Sequence, residues 1–125
     1  MKSREGLLRL KRFQVEEKRR QVAQIETMIA EFDRMARELN DQVMAEQERS
    51  GIHDAGHFAY PTFAKAATQR RDNLTASEKA LKDQLANAKA AYDEALAELE
   101  KAEAIAERDQ AAEAKHAPHQ AGAHA

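Results

Sequence analysis

Two long segments of this chain carry a predominantly apolar residue at every seventh position. In the first segment this stripe is Leu8, Val15, Val22, Ile29, Ala36 and Val43. A companion stripe three positions further on is Lys11, Lys18, Ile25, Phe32, Leu39 and Glu46. Two such stripes are the a and d positions of a coiled-coil heptad. Because no proline or glycine interrupts the segment after Gly6, the pattern predicts a helix over about residues 3–50.

The second segment repeats the pattern with smaller side chains. One stripe is Ala67, Leu74, Leu81, Ala88, Ala95 and Ala102. The other stripe is Arg71, Glu78, Leu85, Tyr92, Leu99 and Ala106. Both seams are narrow, as expected of helices that pair with each other rather than surround a broad core. The pattern predicts a second helix over about residues 61–110, packed on the first.

The two segments are separated by SGIHDAGHFAYP, which concentrates residues that favour turns. Tyr60 precedes a proline and is pushed towards an extended conformation, whereas Pro61 suits the first turn of a helix. A turn at about residues 51–60 makes the predicted fold all-α, a long antiparallel two-helix coiled-coil hairpin over residues 1–110. Residues 111–125 are rich in Ala and His without an apolar period, so we expect a frayed or disordered tail there.

Charge is distributed unevenly along the chain. Residues 1–20 carry a net charge of +5, from eight basic and three acidic side chains, and residues 93–115 carry −5, from eight acidic and three basic ones. An antiparallel hairpin brings these segments together, and their attraction disfavours a parallel pairing. A register in which paired residue numbers add up to 110 places large residues opposite small ones. A register one heptad away, at 117, remains open.

Composition excludes several classes of protein. No cysteine is present, so neither a disulfide framework nor a cysteine metal site is available. No apolar run approaches the roughly 20 residues that span a bilayer, and the charged N-terminal segment is unlike a secretory signal. The charged fraction of 34% and the aromatic fraction of 5% are typical of long helices rather than of a deep globular core. These features predict a cytoplasmic protein.

The sequence shows no catalytic apparatus. It lacks the GxxxxGK[ST] loop that cradles nucleotide phosphates, and a two-helix hairpin offers no enclosed pocket in which reacting groups are desolvated. His53 and His57 are four residues apart, but Gly51 and Gly56 favour a polar turn there over a metal site. We therefore expect a protein that is not an enzyme, with no cofactor and no functional metal.

Two clusters are candidate binding surfaces. The basic N-terminal stretch fits a solvated face with interhelical ion pairs, a dock for an acidic protein surface, or a contact with nucleic acid or lipid. Interrupting glutamates and the lack of a stacking surface disfavour the last interpretation. Beside the turn, Phe58, Tyr60 and Phe63 lie close together in sequence, followed by Gln69 and two arginines. These rings either pack on one another to cap the hairpin or contact a partner, since aromatic and arginine side chains anchor protein interfaces.

This chain resembles the FliJ family of the bacterial flagellar export apparatus in two segments, SREGLLRLKRFQVEEKRRQVAQIE and HFAYPTFAKAATQRRDNL. The second segment is similar to the alphaproteobacterial form, and the resemblance covers about residues 2–110. It implies an antiparallel coiled coil, similar to the stalk of rotary ATPases, whose open end inserts into the hexameric export ATPase FliI. It also implies contact with the export gate protein FlhA and, in some members, with export chaperones.

Carried over by position, the resemblance implies roles for two sets of side chains. The implied ATPase contacts are Arg9, Arg12, Arg19 and Arg20. The implied gate contacts are Phe58, Tyr60, Phe63 and Gln69. The implied function is a non-catalytic stalk that couples ATP hydrolysis to type III protein export and flagellum assembly, without nucleic acid and only peripherally at the inner membrane. The alternative is a generic coiled-coil tether or homodimeric adaptor, which would associate through a long exposed apolar face.

Overall fold

The computed structural model describes the backbone of residues 2–124 and the side chains of residues 3–116. Helix α1 spans Lys2–Ser50 and helix α2 spans Thr62–His124. Within the described backbone there is no strand. The two helices run antiparallel and pack against each other. This architecture confirms the predicted all-α two-helix hairpin, with its turn at about residues 51–60.

Burial along both helices follows the predicted heptads. All twelve predicted a and d positions of α1, from Leu8 to Glu46, are buried or half-buried. The same holds for the twelve predicted positions of α2, from Ala67 to Ala106. Most positions between them are exposed, so each helix buries only the narrow seam that a coiled coil needs.

The chain forms two compact units. The turn unit comprises Val22–Asn87, and the open-end unit comprises Met1–Gln21 with Ala88–Ala125. The buried apolar residues of the turn unit are Ala36, Leu39, Val43, Ala64, Ala67 and Leu81. Those of the open-end unit, among its described side chains, are Val15 and Ala106. Apolar burial is therefore concentrated in the turn unit.

Contacts within each unit agree with a register in which paired residue numbers add up to 110. In the turn unit, Val43 and Ala67 belong to one buried cluster. In the open-end unit, Leu8 and Ala102 line the same groove. In both pairs a larger residue on α1 faces an alanine on α2, as the sequence pattern predicts.

The ends of α2 differ from the predicted ones. The helix begins one residue after Pro61, whose carbonyl oxygen accepts the Lys65 N–H at 3.1 Å. It continues to His124, past the predicted end near residue 110. Residues 111–116 extend the helix with every side chain exposed, because alanine sustains a helix by intrinsic propensity without an apolar seam. The frayed or disordered character expected for residues 111–125 stays a prediction, and the side chains from 117 onwards lie outside the described residues.

Candidate protein-binding surfaces

Three ion pairs join α1 to α2 in the open-end unit. They are Arg4–Glu113 at 3.2 Å, Lys11–Glu98 at 3.5 Å and Arg12–Glu103 at 3.7 Å. The basic N-terminal stretch and the acidic stretch of α2 are thus in direct contact, as their opposite charges predict. Exposed pairs contribute little to stability one by one, but three of them together favour the antiparallel arrangement over the parallel one.

The Arg4–Glu113 pair has the geometry of a fork. Nη1 and Nη2 of Arg4 donate to the two carboxylate oxygens of Glu113 at 3.2 and 3.3 Å. These hydrogen bonds lower the pKa of the Glu113 carboxyl and raise the pKa of Arg4. In the backbone register Arg4 lies opposite Ala106. Its tip reaches Glu113 because helical side chains lean towards the N-terminus of their own helix.

Arg19 and Arg20 are held by carboxylates one helical turn earlier. Arg19 donates from Nε and Nη2 to Oε2 of Glu16, at 3.1 and 2.8 Å, and Arg20 donates from Nη1 to Glu17 at 2.7 Å. The hydrogen bonds to Glu16 raise the pKa of Arg19 and lower that of Glu16. A guanidinium has five N–H donors in one plane. Each arginine therefore retains donors for the carboxylate of a partner.

Arg9 and Arg12 complete the set predicted from the family resemblance. Arg9 is exposed, and no ion pair within 4 Å is found for it among the described side chains. Arg12 keeps 59% of its side chain exposed beside Glu103. We call the four side chains Arg9, Arg12, Arg19 and Arg20 the arginine surface. All four lie exposed along α1, but an ATPase contact through them stays a prediction.

Phe13 is a candidate contact that the sequence analysis did not select. Its side chain is 58% exposed. It follows Arg12 directly and precedes Arg20 by seven residues, so it lies on the same outward stripe of α1 as Arg20. Aromatic and arginine side chains dominate the energetics of protein interfaces. The available signal was a large ring at heptad position f, farthest from the seam, where a polar residue is usual.

The hairpin turn is fixed by its own hydrogen bonds. Gly51 has a φ of 74° and donates its N–H to the Gln47 carbonyl at 2.8 Å, which ends α1 with a left-handed cap. The Asp54 carboxylate accepts the Gly56 N–H at 2.9 Å, and the Asp54 carbonyl accepts the His57 N–H at 3.0 Å. The turn therefore presents its side chains from a defined backbone.

Phe58 has the most exposed large apolar side chain of the described residues, at 97%. Its ring stacks on His57, with centroids 4.7 Å apart and planes 21° apart. Nδ1 of His57 accepts the Ala59 N–H at 3.0 Å, which orients the imidazole. Among the residues that the structure describes, this is the one stacked ring pair, so Phe58 does not pack on Tyr60 or Phe63. Mutual packing of the three rings is therefore absent, and Phe58 is accessible to a partner.

Tyr60 differs from the other predicted gate contacts. It is half-buried, and its hydroxyl accepts a hydrogen bond from Nε2 of Gln47 at 2.9 Å. Phe63, in the first turn of α2, is 57% exposed, and Gln69 is exposed as well. Tyr60 thus ties the turn to α1, whereas Phe58, Phe63 and Gln69 are open to contact. We call these three exposed side chains the turn surface.

Polar residues in the seam of the turn unit find partners beside it. Arg71 is half-buried and donates from Nη1 to Oδ1 of Asn40 at 2.7 Å, across the two helices. Its Nε and Nη2 donate to Asp72. Glu78 is half-buried and lies 3.7 Å from Nζ of Lys82. Long polar side chains reach the edge of the narrow seam in this way and keep their charges compensated.

No family model, curated protein or solved structure matches this chain. Neither helix, over the residues described, contains a stretch long and apolar enough to cross a membrane. The same residues hold no group of three or more His, Cys, Asp or Glu side chains placed to bind a metal ion. The two surfaces defined above, together with the sequence resemblance, are the basis for assigning a function.

Proposed function

We propose that this chain is a non-catalytic component of the flagellar type III export apparatus that binds two proteins through two different surfaces. The arginine surface docks on the hexameric export ATPase FliI, into which the open end inserts as a stalk. The turn surface contacts the export gate protein FlhA. The chain thereby couples ATP hydrolysis to protein export and flagellum assembly, in the cytoplasm and peripherally at the inner membrane.

The observation that supports this proposal is the exposure of interface-forming side chains at two chemically different places. Arginines that already have carboxylate neighbours remain more than half exposed, at 59% for Arg12, 56% for Arg19 and 57% for Arg20. Phe58 is 97% exposed. The seam between the helices is meanwhile closed by its own side chains. The chain therefore offers surfaces for partners and no pocket that encloses a substrate.

The intrahelical pairs prepare the arginine surface for binding. Glu16 and Glu17 orient Arg19 and Arg20 before any partner arrives, so less side-chain entropy is lost when the complex forms. A ring lined with carboxylates attracts this end of the chain over several ångströms, which raises the association rate. Salt screens that attraction, and binding through this surface weakens as the ionic strength rises.

The turn surface supplies a different kind of contact. Phe58 loses almost all of its exposed area when its ring enters an apolar pocket, and burial of an aromatic ring is a large favourable contribution to binding. The hydrogen-bonded turn limits the entropy that this insertion costs. Binding through this surface depends on apolar area, so it is less sensitive to salt than binding through the arginines.

The test is binding of the purified chain to purified FliI with an ATP analogue. We expect saturable binding of about one chain per hexamer, lost when Arg9, Arg12, Arg19 and Arg20 are all changed to Glu. The matched control makes the same net charge change within the turn unit, with the changes R34E, R37E, K65E and K79E. This control should still bind. If the unchanged chain is folded and monomeric and does not bind FliI, the proposal is wrong.

One observation favours the alternative, a homodimeric adaptor or tether. Met28 and Met35 lie seven residues apart on one stripe of α1 and are 42% and 38% exposed. Exposed apolar side chains on one stripe can pair two hairpins. Sedimentation equilibrium separates the two functions, since the export stalk is a monomer and the adaptor is a dimer that M28Q with M35Q dissociates.

A further inference from the structure

A groove between α1 and α2 in the open-end unit has apolar walls and a floor of small residues. Its walls are Leu7 on α1, which is 47% exposed, and Ile105 on α2, which is 44% exposed. Leu8, Ala102 and Ala106 line the groove between these walls and are half-buried or buried. Small residues on the floor let another chain approach closely, and the large walls gain contact area from it.

The carboxylates that line this groove already have basic neighbours. Glu98 pairs with Lys11 at 3.5 Å. Arg4 has its pKa raised by the hydrogen bond to Glu113 and, to a smaller extent, by the nearby charge of Asp109. The negative charges of Glu98 and Asp109 are therefore largely compensated by α1.

The basic residues along the α2 edge of the groove have no such compensation. Lys101 lines the groove, and Arg108 follows it by seven residues, so both flank Ile105 on the same outward stripe. Both are exposed, and neither has an ion-pair partner within 4 Å among the described side chains. Lys115 lies on the same stripe. This edge is therefore positive although residues 93–115 as a whole carry −5.

We infer that this groove docks a helix of a partner protein, specifically an amphipathic helix whose apolar stripe is bordered by carboxylates. The apolar stripe lies between Leu7 and Ile105, as a third strand lies in the groove of a two-stranded coiled coil. The bordering carboxylates lie against Lys101 and Arg108. A second copy of this chain fits less well, because a two-fold dimer brings the same basic edge into the interface twice.

This inference goes beyond the proposed function and does not depend on it. Leu7 occupies heptad position g, on one side of the α1 seam, whereas Arg12 and Arg19 occupy position e, on the other side. The groove and the arginine surface can therefore be occupied separately. Loss of helix binding with intact FliI binding, or the reverse, distinguishes failure of one idea from failure of the other.

The test uses the full chain and a fluorescent synthetic peptide of about three heptads with leucine at a and d. One version has glutamate along one flank of the apolar stripe, and a second has lysine at the same positions. By fluorescence anisotropy we expect saturable binding of the glutamate peptide, about tenfold or more tighter than that of the lysine peptide at low salt. This preference should shrink as salt is added.

A charge reversal on the groove edge then locates the contact. K101E with R108E should invert the preference, so that the lysine peptide binds more tightly. The matched control, K65E with K79E, makes the same charge change on α2 within the turn unit and should leave both affinities unchanged. These four side chains are exposed, so folding should be unaffected, which circular dichroism checks.

An apolar substitution tests the groove itself. L7Q with I105Q should weaken both peptides by about tenfold or more, because the walls no longer contribute apolar area. M28Q with M35Q removes a similar area elsewhere on α1 and should have no effect. The inference is overturned by equal affinity for the two peptides, by absence of binding, or by a dimer of this chain that L7Q with I105Q dissociates.

Discussion

The turn unit and the open-end unit use the same two helices but are held together by different forces. In the turn unit, Leu39, Val43 and Ala67 form a buried cluster with Leu74 packed against it. In the open-end unit three ion pairs connect the helices, and apolar burial is sparse. The difference begins in α2, where the stripe that contains Leu74 and Leu81 continues only as alanine. An alanine seam buries less area and stabilises less.

This comparison suggests a division of roles. The turn unit supplies most of the stability that keeps the hairpin closed. The open-end unit gives up apolar packing inside the seam and has Leu7, Leu10, Phe13 and Ile105 exposed on its surface. Those side chains and the neighbouring arginines are the ones a partner can use. The predictions below test whether stability and binding are divided between the units in this way.

The largest expected effect is on the apolar cluster of the turn unit. L39A should lower the free energy of unfolding by about 2–3 kcal/mol, because Leu39 is only 9% exposed and its loss leaves a cavity. L10A makes the same chemical change in the open-end unit, where Leu10 is 50% exposed, and should cost less than about 1 kcal/mol. Urea unfolding followed by circular dichroism measures both. Equal losses would contradict the comparison.

The next effect comes from two glycines, one in each unit. Gly51 has a φ of 74°, so G51A should destabilise the hairpin by about 1–2 kcal/mol. Gly6 lies in α1, and an added Cβ there meets nothing within 4 Å. G6A should therefore be neutral or stabilise by up to about 1 kcal/mol. The account of the turn fails if the two changes shift the unfolding midpoint in the same direction.

A smaller effect concerns the ion pairs of the open-end unit. The pKa of Glu113 is lowered from its ordinary value of 4.5 by the hydrogen bond to Arg4. A lowered folded-state pKa means that the pair stabilises the fold above about pH 4.5 and loses this contribution as pH falls through the lowered value. The melting temperature of E113Q should thus be below that of the unchanged chain at pH 7, and the gap should close towards pH 3.

The control for that prediction is a double-mutant cycle. R4Q should lower the melting temperature at pH 7 about as much as E113Q, and the double variant should lose little more than either single one. High salt should reduce all three differences because it screens exposed charges. Additive losses would mean that the two side chains act independently, against the fork observed between them.

The smallest expected effect on stability is at the turn surface. F58A should leave the free energy of unfolding unchanged within about 0.5 kcal/mol, since the ring is 97% exposed. Y60F is the contrasting change, because it removes the hydroxyl that accepts from Gln47 at 2.9 Å. It should cost about 1 kcal/mol. A larger loss in F58A than in Y60F would assign Phe58 a structural role.

The heptad pattern predicted most of the fold because a coiled coil repeats one simple packing rule. Every predicted a and d position is buried or half-buried, and even the polar ones, such as Arg71, stay in the seam. The turn could be placed because Gly51 and Pro61 bracket it. The end of α2 could not, since the propensity of alanine carries a helix beyond the region where packing supports it.

The candidate site was less predictable than the fold. The attraction between the charged segments was readable from composition, but the choice of partners was not. Arg19 and Arg20 turn to Glu16 and Glu17 on their own helix, at a spacing of three residues, instead of crossing to α2. The exposure of Phe58 and the half-burial of Tyr60 also depend on turn hydrogen bonds that spacing alone does not specify.

The central claim is that two surfaces bind two different proteins, and a cross-test addresses it most directly. Binding to purified FliI and to purified FlhA is measured for two folded variants. One has all four residues of the arginine surface changed to Glu, and the other carries F58A with F63A. The account predicts that the first variant loses FliI and keeps FlhA, and that the second loses FlhA and keeps FliI. Variants that lose both partners together, or neither, would contradict it.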